Sequence, residues 1–116
     1  MSAGTYDILI EKGATFQLSL TWKAPTNTPY DLTGYTARMQ VRKSVNATAP
    51  LLSLTSSGGD IVLGGAAGTI VITASATATA AMDATHGVYD LELVAPSGTV
   101  TRVLKGSVEI SPEVTR

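Results

Sequence analysis

Residues 29–44, PYDLTGYTARMQVRKS, join two unlike patterns at Gly34. Asp31, Leu32, Thr33 and Gly34 have the chemistry of a turn. A short acidic side chain can accept from nearby backbone amides, an apolar side chain can plug a core, and a glycine accepts a positive φ. After the glycine, Tyr35, Ala37, Met39 and Val41 alternate with Thr36, Arg38, Gln40 and Arg42, the period of a strand with one wet face. The stretch is therefore read as a structural corner, Asp31-Leu32-Thr33-Gly34, feeding a strand that delivers Met39 and Val41 to the core.

Upstream, Thr15–Trp22 repeats the period: Phe16, Leu18, Leu20 and Trp22 share one face, with Gln17, Ser19 and Thr21 on the other. This row is expected in the core, with Trp22 capping one end of it. Further short runs cover Asp7–Ile10, Leu51–Thr55, Ile61–Leu63, Thr69–Thr73, Val88–Val94, Thr99–Leu104 and Ser107–Ile110, and Tyr89, Leu91 and Leu93 supply the core from the longest of them. Between the runs lie the breakers Glu-Lys-Gly, Pro-Thr-Asn-Thr-Pro, Ser-Ser-Gly-Gly-Asp, Gly-Gly-Ala-Ala-Gly and Ala-Pro-Ser-Gly. Roughly eight or nine strands at close spacing predict an all-β sandwich or small barrel.

Two hairpins stand out. Pro96-Ser97-Gly98 turns between the alternating runs of VYDLELVAPSGTVTRVL, although the second run does not show which of its faces is buried. DIVLGGAAGTIVIT turns through Gly64–Gly68. One segment departs from period two: Ala74–Thr85, ASATATAAMDAT, is rich in alanine and starts near a serine that can cap a helix. It is read as a short helical turn near residues 75–83 or as an irregular loop of small residues.

The chain has 116 residues, enough for one domain spanning 1–116 with one modest core. Apolar residues make up 44%, charged residues 15% and aromatics 5%, a globular and β-leaning composition. With a net charge of −1 and eight scattered Lys and Arg, there is no broad positive field for a phosphate backbone, so no nucleic-acid partner is expected. No cysteine is present, which removes disulfides and thiolate metal sites. The first residues lack a basic segment followed by an apolar stretch, and no run approaches the length of a membrane helix. The chain is expected to be made in the cytosol without a signal peptide and to have no membrane partner.

Catalytic chemistry finds little footing. His86 is the sole histidine, so neither a histidine-rich metal site nor a second imidazole can assist it, and a structural or surface role is expected. The glycine-rich Gly64–Gly68 lacks the lysine and following helix of a phosphate loop. Asp90 and Glu92 share the polar face of one strand, and cross-strand pairing with Arg38, Arg42 or Arg102 accounts for them more simply than calcium binding or acid–base work. Asn46-Ala47-Thr48 matches a glycosylation sequon. Trp22 could serve as a carbohydrate-stacking platform, but only six aromatic residues are present to build one. No catalytic, cofactor-binding or metal-binding residues are assigned, and no cofactor is expected.

GATFQLSLTWKAPTNTPYDLTGYTARMQVRKS, LLSLTSSGGDIVLGGAAGTIVITASATATAAM and HGVYDLELVAPSGTVTRVLKGSVEISPEVTR together resemble small proteins encoded among the structural genes of tailed bacteriophages and prophages. The first third is also similar to the N-terminal domain of upper-baseplate proteins of the BppU type. There an amphipathic strand with an aromatic end precedes Pro-x-Asp-Leu-Thr-Gly and another alternating strand. The resemblance implies an Ig-like antiparallel β-sandwich that is a non-enzymatic structural part of the virion, made in the host bacterial cytoplasm. A tail or baseplate adaptor or fibre-attachment module is the expected role, with a capsid decoration protein as the alternative and a carbohydrate-binding module outside virion structure. Its partners would be other virion structural proteins and further copies of itself, and Met1 to Ile10 and Ser107 to Arg116 are the segments expected to add as strands to a neighbour.

Overall fold

A computed structural model of the chain describes residues 4–23 and 26–115. Residues 1–3 of one expected strand-adding terminus, residue 116 of the other, residue 24 and residue 25 of the Pro-Thr-Asn-Thr-Pro turn lie outside them. The strands are β1 (Gly4–Thr5), β2 (Ile8–Glu11), β3 (Phe16–Thr21), β4 (Thr36–Arg42), β5 (Leu52–Thr55), β6 (Ile61–Leu63), β7 (Thr69–Ala74), β8 (His86–Val94) and β9 (Val100–Ser111). A short helix, α1 (Ala76–Ala80), follows β7. Two sheets form a sandwich: β1 and β2 both edge β9, followed by β8, β4 and β5, against a smaller sheet in the order β3, β7, β6.

Each sheet turns its alternating apolar row inward. Ala37, Met39 and Val41 from β4, Leu52 and Leu54 from β5, and Tyr89, Leu91 and Leu93 from β8 are buried, and meet Ile61, Ile70, Ile72 and Ala74 of the small sheet in one contiguous core. Met82 after α1 and Leu32 of the corner are also fully buried there.

The row Phe16, Leu18, Leu20 and Trp22, expected in the core, packs against it and stays half-buried. The cause is position: β3 pairs only with β7 and so has a covered neighbour on one side. Ile61, Ile70 and Ile72, from the short runs Ile61–Leu63 and Thr69–Thr73, are fully buried residues of that layer.

The sandwich is antiparallel except at its N-terminal edge, where β1 and β2 run parallel to β9 with Gly4 beside Leu104 and Ile10 beside Ile110. The two terminal segments are thus each other's partners, and Ile8 and Ile10 belong to the core. Between β1 and β2 the chain crosses directly over Gly106, where an added Cβ would collide with the Tyr6 carbonyl oxygen. Glycine in a strand often marks such a close backbone approach. Thr99–Leu104 and Ser107–Ile110, expected as separate strands, are therefore one strand running through Gly106. The Asp7 carboxylate accepts from the Ser107 amide at 3.0 Å, and the Tyr89 hydroxyl donates to the Tyr6 carbonyl.

A register shift opposite Leu91 and Glu92 explains the ambiguous faces of β9: Leu91 pairs with Leu104 and Glu92 with Arg102, leaving Val103 as an extra residue. Such a bulge breaks strict alternation within one strand. Helix α1 is capped by the Ser75 hydroxyl, which accepts from the Ala78 amide at 3.1 Å. Its buried Thr79 hydroxyl donates to the Ala14 carbonyl at 2.9 Å and accepts from the Gly13 amide at 3.1 Å, tying the β2–β3 turn to the helix.

Candidate functional site

The corner at residues 31–34 has a defined geometry. The Asp31 carboxylate accepts from the Thr33 amide at 3.0 Å and from the Thr33 hydroxyl at 2.6 Å. Those two bonds, the hydroxyl's first, hold the carboxyl below its ordinary value. The Tyr35 amide donates to the Leu32 carbonyl at 3.0 Å across Gly34, whose φ is +80°. Leu32 is 1% exposed and its amide donates to the Gly65 carbonyl at 2.9 Å. The corner is thereby fastened to the glycine-rich loop, a 3-10 turn over Gly65–Ala67.

That loop serves backbone packing. The carbonyl of Gly68, a residue at φ +69°, accepts from the Trp22 amide at 2.8 Å, and a Cβ there would come within 2.8 Å of the Trp22 and Tyr30 carbonyl oxygens. Only glycine fits so close an approach in the left-handed region.

Above the corner three aromatic rings gather. Trp22 and Tyr30 stack at 4.2 Å between centroids, and Tyr35 meets Tyr30 edge-on at 6.5 Å. All three are half-buried. Desolvation, with a smaller contribution from Tyr30, raises the Tyr35 phenol above its usual range. Sequence reading weighed Trp22 alone and missed this cluster, because Tyr30 lies in a loop without period. Its position beside the corner, five residues before Tyr35, was the available signal.

On the outward face of the large sheet a shallow concavity of about 510 Å³ is lined by Gln40, Arg42, Asp90, Glu92, Arg102 and Lys105, with other neighbours. Arg38 pairs with Glu92 at 2.8 Å and Arg102 with Asp90 at 3.3 Å, across β4–β8 and β8–β9. Arg42 departs from that pattern: its guanidinium donates to the Ala47 carbonyl and the Gln40 side chain, both at 2.8 Å, pinning the loop after β4. The face is charge-mixed and open, and exposed ion pairs of this kind contribute little to stability.

The remaining candidates are scattered. His86 is exposed at the start of β8, its Nδ1 3.1 Å from the Thr85 hydroxyl and its strand position opposite Glu109. Asn46 is exposed in the turn after β4. Among the described residues, no three of His, Cys, Asp and Glu gather into a metal-ligating group, no helix is long and apolar enough to cross a membrane, and no buried side-chain polar atom lacks a partner. The arrangement offers ordered edges, a mixed polar face and an aromatic end.

No protein-family model matches the sequence, and no curated protein does either.

Proposed function

We propose that this chain is a non-enzymatic structural component of a tailed bacteriophage virion, acting in the tail or baseplate as an adaptor or fibre-attachment module through protein–protein contacts. The observation that carries the reading is the corner. The Asp-Leu-Thr-Gly stretch that bears the resemblance to baseplate proteins is taken up by the fold itself, Asp31 bonded to Thr33 at the surface and Leu32 buried in the core. Several acidic and basic side chains are likewise engaged with one another or with backbone, as in Arg38–Glu92, Arg102–Asp90 and Asp7–Ser107. Such a molecule acts by presenting surfaces, and assembly by copy number then sets its effect.

The stacked Trp22–Tyr30 pair with Tyr35 favours a second reading, a carbohydrate-binding module, since saccharide rings pack on aromatic faces. Immunogold electron microscopy of purified particles separates the alternatives. Label at the tail tip supports the proposal, label over the shell replaces it with capsid decoration, and particles free of label overturn both.

A further inference from the structure

Soluble β proteins guard their sheet edges with charge, proline, bulges or brevity. In this sandwich β6 has three residues, and β5 has four, with the Thr55 amide and carbonyl engaged by Asp60. The N-terminal edge is broken where the chain crosses Gly106, and carboxylates stand at both ends of β2, at Asp7 and Glu11. Edge strand β3 has none of these devices. Its six residues, and Trp22 beyond them, include no charge, proline or glycine.

The hydrogen-bonding direction along β3 is fixed. Because the Trp22 amide donates to the Gly68 carbonyl at 2.8 Å, antiparallel alternation turns the amides and carbonyls of Gln17, Ser19 and Thr21 away from β7. Those three residues are exposed. On the alternate positions Phe16, Leu18, Leu20 and Trp22 remain half-buried although they face the core, so an apolar row accompanies the open ladder.

We propose that the β3 edges of two copies pair antiparallel about a twofold axis centred on Ser19. Directly opposed residues in an antiparallel pair share a face, so the inward rows match only in registers that keep alternation. The register centred on Ser19 overlaps the whole of residues 16–22. Ser19 then opposes Ser19 of the second copy, Gln17 opposes Thr21, Leu18 opposes Leu20, and Phe16 opposes Trp22. All the outward amides and carbonyls of Gln17, Ser19 and Thr21 find partners, and no charge faces a like charge, since Lys23 falls opposite Thr15. A second copy is the occupant because the strand is complementary to itself in polarity, hydrogen bonding and neutrality. The two small sheets become one continuous sheet across the dimer, covering the half-buried row.

The chain contains no cysteine, so single-cysteine variants report the register directly. Ser19→Cys places two thiols on directly opposed residues, a separation within disulfide reach, and under mild oxidation it forms covalent dimer on the order of tenfold faster than Gln17→Cys. A mixture of Gln17→Cys with Thr21→Cys gives the crossed dimer faster than either alone. In sedimentation equilibrium the natural chain shows concentration-dependent dimer, and Ser19→Lys, an exposed change that sets like charges opposite each other, shifts it to monomer. Equal crosslinking rates for Ser19→Cys and Gln17→Cys overturn the pairing, as does a natural chain that stays monomeric at every concentration. This test reads the edge alone and its outcome is independent of where the protein sits in a particle.

Discussion

The Leu32 amide donates to the Gly65 carbonyl at 2.9 Å, which makes the Asp31–Gly34 corner and the glycine-rich loop a single structural unit. Each stretch supplies what the other lacks: a buried side chain from one, a close backbone from the other. Leu32→Ala removes the plug and leaves a cavity, so we expect a loss of about 2–5 kcal/mol in urea unfolding.

Gly34→Val strikes the same corner from the backbone. At φ +80° a β-branched residue is strained, and its Cβ would lie 2.9 Å from the Pro96 ring. Strain plus the forced shift of Pro96 should cost about 2–4 kcal/mol, read as a lowered denaturation midpoint with an unchanged slope. A Gly34→Val chain as stable as the natural one would remove the corner assignment.

The Asp31 carboxyl is held below its ordinary value by Thr33. A carboxyl depressed in the fold contributes stability that is present above its unfolded pKa and is lost as pH falls through the folded value. Asp7, depressed by the Ser107 amide, acts in the same direction. Acid titration of stability should therefore fall below about pH 4, near the ordinary carboxylate range, and Asp31→Asn should flatten part of that fall. Carbon NMR of the two carboxyls checks which one titrates low.

Tyr89 behaves in the opposite sense. Burial, reinforced by the nearby Asp7 charge, pushes its phenol up to about 12. The neutral form is favoured by folding, so its contribution is complete below the unfolded tyrosine value of about 10 and disappears as pH rises through the folded value. Ultraviolet titration should show a tyrosine step near pH 12, and Tyr89→Phe should abolish that step. The same variant loses the bond to the Tyr6 carbonyl, a change of about 1 kcal/mol in stability.

Arg38 and Glu92 test the opposite limit. Their side chains are 55% and 25% exposed, so solvent screens the pair despite its 2.8 Å separation. A double-mutant cycle with Arg38→Ala and Glu92→Ala should give a coupling under about 1 kcal/mol that shrinks with salt. A larger, salt-resistant coupling would mean that the outward face is desolvated by something that covers it.

Most of the strands are legible in the sequence because each carries its own period-two signal, as in Tyr35–Arg42 and Val88–Val94. The corner is legible for a related reason: its turn chemistry is local. What escaped depends on partners distant in the chain. Nothing within Asp7–Ile10 says that it lies parallel to Val108–Ser111, and Gly106 reads as a break when its purpose is to let Tyr6 pass. The half-burial of Phe16, Leu18 and Leu20 follows from the edge position of β3, which alternation alone does not encode. Cross-strand pairing of Arg38 and Arg102 with the carboxylates of β8 was expected from face-sharing; the diversion of Arg42 to the Ala47 carbonyl depends on a loop conformation with no periodic signature.

The central claim is that this scaffold is a working part of a phage particle. Its most direct test is quantitative mass spectrometry of intact particles banded by density gradient from a lysate of cells that carry the gene. The account predicts that the chain bands with the particles in several copies each, at a fixed ratio to the other structural proteins. A chain left in the soluble lysate and absent from banded particles would contradict it.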